Sequence, residues 1–78
     1  MGGKAMVYIV SFICNGVPCA NLVDAQSMKT AKEYFIEKQL DGKTELFVGI
    51  REYFGGYKPG IPMHIVAKGW TSKNKKNL

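Results

Sequence analysis

Seventy-eight residues, 46% of them hydrophobic and 22% charged, make one small globular domain and exclude both a second domain and wholesale disorder. No apolar run reaches the roughly 20 residues that cross a bilayer, and the longest, 5–14, is broken by Ser11 and too short for a signal peptide, so the expectation is a soluble, cytoplasmic protein. The net charge is +5 and unevenly placed: Lys4, Lys29, Lys32, Lys38, Lys43 and Arg51 balance Asp24, Glu33, Glu37, Asp41, Glu45 and Glu52, and the excess is Lys58, Lys68, Lys73, Lys75 and Lys76, in a final third with no acid. Such a segment attracts phosphates or acidic protein surfaces, or simply solubilises the chain.

The first element is "AMVYIVSFIC", whose β-branched and aromatic residues predict a strand. Asn15-Gly16 follows, a pair suited to a type I′ turn because that turn needs positive φ at both positions. "VPCANLVDA" is then the returning strand. A two-residue turn sets Cys14 opposite Val17, Ile13 opposite Pro18, Phe12 opposite Cys19, Val10 opposite Asn21 and Tyr8 opposite Val23. Pro18 lacks the N–H that a further neighbour needs, so the second strand is expected to be an edge near the turn. This register sorts Val7, Ile9, Ser11, Ile13, Ala20 and Leu22 to one face. Tyr8, Val10, Phe12, Cys14, Cys19, Asn21 and Val23 go to the other.

"SMKTAKEYFIEKQ" predicts the one helix, with Ser27 as N-cap and Asp41-Gly42 as the stop. Met28, Ala31 and Phe35 form its stripe, with Tyr34 beside it and Ile36 and Leu40 on the flanks. "TELFVGIREYF" predicts a third strand, with Leu46, Val48 and Ile50 on one face and Phe47, Arg51 and Tyr53 on the other. "MHIVAKGW" predicts a fourth, joined to the third by a Gly/Pro hairpin loop longer than a hairpin needs. There, Met63, Ile65 and Ala67 oppose His64, Val66, Lys68 and Trp70. The expected fold is α+β: a two-layer ββαββ sandwich with one antiparallel four-stranded sheet on one helix. Residues 1–70 form the domain and 71–78 a basic flexible tail.

One helix covers only one face of such a sheet. The face with Val7, Ile9, Leu22, Leu46, Val48 and Ile50 is the expected partner of the helix. The other would then expose Tyr8, Val10, Phe12, Val23, Phe47, Tyr53, Val66 and Trp70 with Arg51, His64 and Lys68. An exposed apolar patch of that kind marks contact with something. Three readings stay open. A protein partner would dock on Arg51, Tyr53, Phe54, Tyr57, Lys58, Lys68 and Trp70. Nucleic acid would bind Lys58, Lys68, Lys73, Lys75 and Lys76, with rings stacking on bases. Or the face would be covered, by the 54–62 loop and the tail or by a second copy of the chain.

Catalytic chemistry has no nominee. His64 is the only histidine, and no nucleophile or carboxylate is placed against it by spacing. "GGYKPG" lacks the spacing of a phosphate loop and runs into a strand, where such a loop needs a helix. Cys14 and Cys19, with His64, fall short of four zinc ligands, and on a strand diagonal they are too far apart for a comfortable disulfide. Free thiols, no metal and no cofactor are the expectation.

In order of elements, "YIVSFICNGVPCANLVDA", "SMKTAKEYFIEKQ" and two strands ending in "KGW", the chain resembles small strand-strand-helix-strand-strand proteins of phages and mobile elements, including some anti-CRISPR proteins. The resemblance is architectural and carries over no functional residue. It implies a small non-enzymatic inhibitor or regulator that binds a nucleic-acid-handling complex.

Overall fold

A computed structural model of the chain describes residues 6–55 and 60–66. Strand β1 spans Met6–Cys14 and β2 Val17–Ala25. They pair antiparallel in the expected register, from Met6 opposite Ala25 to Cys14 opposite Val17. Asn15 and Gly16 take φ of 53° and 78°, the two positive values that close a type I′ turn.

Helix α1 covers Met28–Tyr34. Ser27 caps it, its side-chain oxygen accepting from the Thr30 N–H at 3.1 Å. The chain continues as a π-helical turn over Phe35–Gln39, with the Leu40 N–H donating to the Phe35 carbonyl at 3.0 Å. The buried positions explain the change of pitch. Ala31 and Phe35 are four apart, in phase for an α-helix. Phe35 and Leu40 are five apart, in phase only when hydrogen bonds reach from i to i+5. Asp41 and Gly42, both at positive φ, then end the helix as expected. Met28 leaves the stripe and is 40% exposed.

A 3₁₀ turn, Thr44–Leu46, precedes β3, Phe47–Glu52, so the third strand starts later than its sequence suggests. The fourth strand, β4, is Met63–Ile65. The α+β class and the chain order stand, but the sheet is mixed, in the order β3-β1-β2-β4. The expected all-antiparallel sheet is corrected at β4, which runs parallel to β2 through Leu22–Asp24. There is accordingly no hairpin between β3 and β4. They lie on opposite edges and run in the same direction, so the chain has to pass from one edge to the other between Glu52 and Met63. The length of that connection reflects the need, because parallel strands cannot be joined by a tight turn. Pro18 shapes this arrangement: β4 pairs only with the far half of β2, leaving the half near the turn as an edge.

The helix packs on the face opposite to the expected one. The core is Tyr8, Val10, Phe12, Val23, Ala25, Ala31, Phe35, Ile36, Leu40 and Val66. Phe12 and Phe35 meet with ring centroids 4.9 Å apart at a 55° tilt. Both faces of β1 are apolar, and the helix takes the one with the rings, which bury the most area. A bulge in β3 makes this consistent. The β1–β3 register shifts between Ser11 and Phe12, bringing Phe47 opposite Phe12 and Ile50 opposite Val10. Strict alternation puts Phe47 and Ile50 on opposite faces. The extra residue lets both pack against the core, and Val48 is left 62% exposed.

Candidate docking face

The far face of the sheet follows from the same registers. From β1 it presents Val7, Ile9, Ser11 and Ile13, all half-buried, and from β2 Ala20 and Leu22. From β3 it presents Gly49 and Arg51, opposite Ser11 and Ile9. From β4 come Met63 and Ile65, opposite Leu22 and Asp24. Among the described residues no helix lies on this face. Its exposure is uneven: Leu22 is fully buried, whereas Ile65 is 73% exposed. Beside the hairpin an open hollow of about 480 Å³ is lined by Ile13, Pro18, Ala20 and Val48 among others. A solvated face of an antiparallel pair normally alternates to polar residues. Here the polar positions are few: Ser11, Asp24 and Arg51.

The expected binding residues divide. Arg51 is exposed on this far face. Tyr53 continues the same side, its N–H donating to the Val7 carbonyl at 2.8 Å. Its hydroxyl is buried without a hydrogen-bond partner. Gly55 packs against that hydroxyl so closely that a Cβ there would lie 2.9 Å from Tyr53 Oη. Phe54, just past the strand, is 81% exposed. Tyr57, Lys58, Lys68, Trp70, Lys73, Lys75 and Lys76 lie outside the described residues. Tyr8, Val10, Phe12, Val23, Phe47 and Val66, expected on the contact surface, belong instead to the core or pack against it. Their rings are therefore unavailable to stack on bases. Of the positions expected under the helix, Leu46 and Ile50 do pack against the core, whereas Val7, Ile9, Leu22 and Val48 lie away from it, on the side that carries no helix among the described residues. No sequence signal separated the two sets, because neither face of the hairpin alternates to polar.

His64 faces the helix side from β4. Its ring meets Phe35 edge-on at 5.8 Å and Tyr34 at 6.5 Å, and its Nε2 lies 3.1 Å from Asn21 Nδ2. The amide can donate to Nε2 only when that nitrogen is unprotonated. Burial lowers the pKa of His64 from its ordinary value. Cys14 is exposed, Cys19 half-buried, and both are free thiols. The phenol of Tyr8 is pushed up, first by burial and then by the carboxylate of Glu52, its register partner. Among the described residues no group of three His, Cys, Asp or Glu side chains could hold a metal ion, and no helix is long and apolar enough to cross a membrane.

From α1, Lys32 stands over the Phe47 ring with Nζ 5.0 Å from its centroid, where the ring face attracts a cation. Comparison of the chain with protein-family models, curated proteins and solved structures finds no match.

Proposed function

We propose that this chain is a non-catalytic binding protein whose far sheet face docks a protein partner. The observation that carries the reading is that face: largely apolar on β1, β2 and β4, with Val48 and Ile65 exposed and no helix over it among the described residues. The partner surface it fits is an apolar patch with an acidic rim. Arg51 and Asp24 balance each other on the face itself, and every charge beyond Glu52 is positive. The architectural resemblance adds that such a partner belongs to a nucleic-acid-handling complex, which the chain inhibits or regulates.

The test is a partner captured by cross-linking, then reconstituted from purified components and mapped by amide shifts. Docking on the far face predicts shifts at Val7, Ile9, Val48 and Ile65, and loss of binding in Ile65→Asp with an unchanged circular dichroism spectrum. Shifts confined to the helix side would refute it.

A second reading, direct nucleic-acid binding, draws on the charge excess of residues 53–78 alone. It predicts affinity for an oligonucleotide that falls steeply with salt and disappears on deleting residues 71–78. Unchanged amide shifts with an oligonucleotide at low salt would sink it.

A further inference from the structure

We propose that β3 is a pairing edge for a second copy of this chain, with the two β3 strands antiparallel about Ile50. Among the described residues, the free edges of the sheet are not equivalent. The free half of β2 holds Pro18, which blocks a ladder. The β4 edge offers only three residues and is preceded by Pro62. β3 offers six residues, Phe47–Glu52, with neither a proline nor a lysine. Edges poor in such devices are the ones that recruit another strand; the protective features here are the bulge at Val48 and the charges of Arg51 and Glu52, which the register of the added strand has to accommodate.

The register shows which backbone groups are free. The Tyr53 N–H donates to the Val7 carbonyl, which extends the pairing of Ile9 with Arg51 and of Ser11 with Gly49. Antiparallel pairs alternate between hydrogen-bonded and not, so Arg51 and Gly49 also turn their backbone groups toward β1. Ile50 and Glu52 turn theirs outward. An added strand would find an N–H and a carbonyl at each.

The side chains select a second copy and its register. Pairing about Ile50 sets Arg51 opposite Gly49 of the second copy and Glu52 opposite its Val48. No like charges meet. A Cβ built at Gly49 would find nothing within 4 Å, so the opposing Arg51 stem has room to lie over that position. Moving the centre to Arg51 or to Glu52 would set like charges directly opposite each other, which is destabilising. A single core of this size also gains from a partner copy. Pairing about Ile50 keeps both helices on one side of a continuous eight-stranded sheet, and both far faces together on the other. The inference is independent of what docks there.

The experiment is light scattering of the full chain across the micromolar range, with backbone amide exchange on the same samples. Twice the mass of one chain is expected at the highest concentration, with Ile50 and Glu52 amides gaining protection as concentration rises. Glu52→Pro removes one outward N–H and leaves the β1 ladder intact, and it should stay monomeric. A one-chain mass throughout would overturn the proposal. So would a dimer that survives Glu52→Pro but is lost in Ile65→Asp, which would place the contact on the far face. Should Glu52→Pro fail to fold, the exchange of Ile50 and Glu52 in the unaltered chain decides: protection that ignores concentration refutes the pairing.

Discussion

Phe35→Ala is the most direct test of the core assignment. Phe35 is fully buried, lies 4.9 Å from the Phe12 ring and meets His64 edge-on. It also stands where the α-helix passes into the π turn, so its removal empties the contact between helix and sheet. Truncating a buried phenylalanine costs about 3–5 kcal/mol, the lost transfer energy plus the cavity left behind. For a domain this small that is a large share of a total stability in the range of about 5–15 kcal/mol. With a urea slope of roughly 1 kcal/mol/M for so short a chain, the unfolding midpoint should fall by about 3 M or more. Phe54→Ala is the control: that ring is 81% exposed, and the midpoint should move by less than about 0.5 M. Circular dichroism at increasing urea reads both. If Phe54→Ala proved the more damaging of the two, the assignment of the helix to the Tyr8–Val10–Phe12 face would be wrong.

Val10→Ala and Val7→Ala compare the two faces within one strand. Val10 is fully buried under the helix, so its truncation should cost about 2 kcal/mol by urea unfolding, and Val7→Ala less than half of that. Tyr53→Phe should leave stability unchanged or raise it, by about 1 kcal/mol, because it removes a buried hydroxyl that has no partner. Gly55→Ala should lower the melting temperature, since its Cβ would press on Tyr53 Oη, and the double variant with Tyr53→Phe should recover part of the loss. For His64, burial holds the folded-state pKa below its ordinary 6.5, so the unfolded chain binds the proton more readily. The stabilisation is therefore complete above about pH 6.5 and is lost as pH falls through the lowered folded value. Thermal melts on either side of that window should show a drop that His64→Gln reduces; an equal drop in both proteins would count against the assignment.

The hairpin was legible residue by residue. Asn15-Gly16 dictates positive φ, the turn length dictates the register, and every pair from Cys14–Val17 outward follows from those two facts. Ser27 and Asp41-Gly42 likewise mark the ends of the helix through local chemistry, a side-chain acceptor at one end and a left-handed backbone at the other. The far face of the sheet was not legible in this way. β1 is apolar on both sides, so alternation alone cannot say which side the helix will cover. The bulge at Val48 then moves Phe47 to the side of Ile50, and no periodicity announces an inserted residue. Arg51 and Tyr53 remained candidates throughout, but they stand beside Val7 and Ile9 and not beside Tyr8 and Phe12.

Local interactions reach only a few residues along the chain, and they account for the turn, the caps, the strands and the fact that some apolar surface would be left over. The remaining choices join residues distant in sequence. The parallel seating of β4 on β2, the π turn that aligns Leu40 with Phe35, and the burial of the aromatic side of the sheet all depend on which packing encloses the most apolar area. That comparison exists only once helix and sheet are in contact. It puts the rings of Tyr8 and Phe12 inside and leaves Val48 and Ile65 exposed.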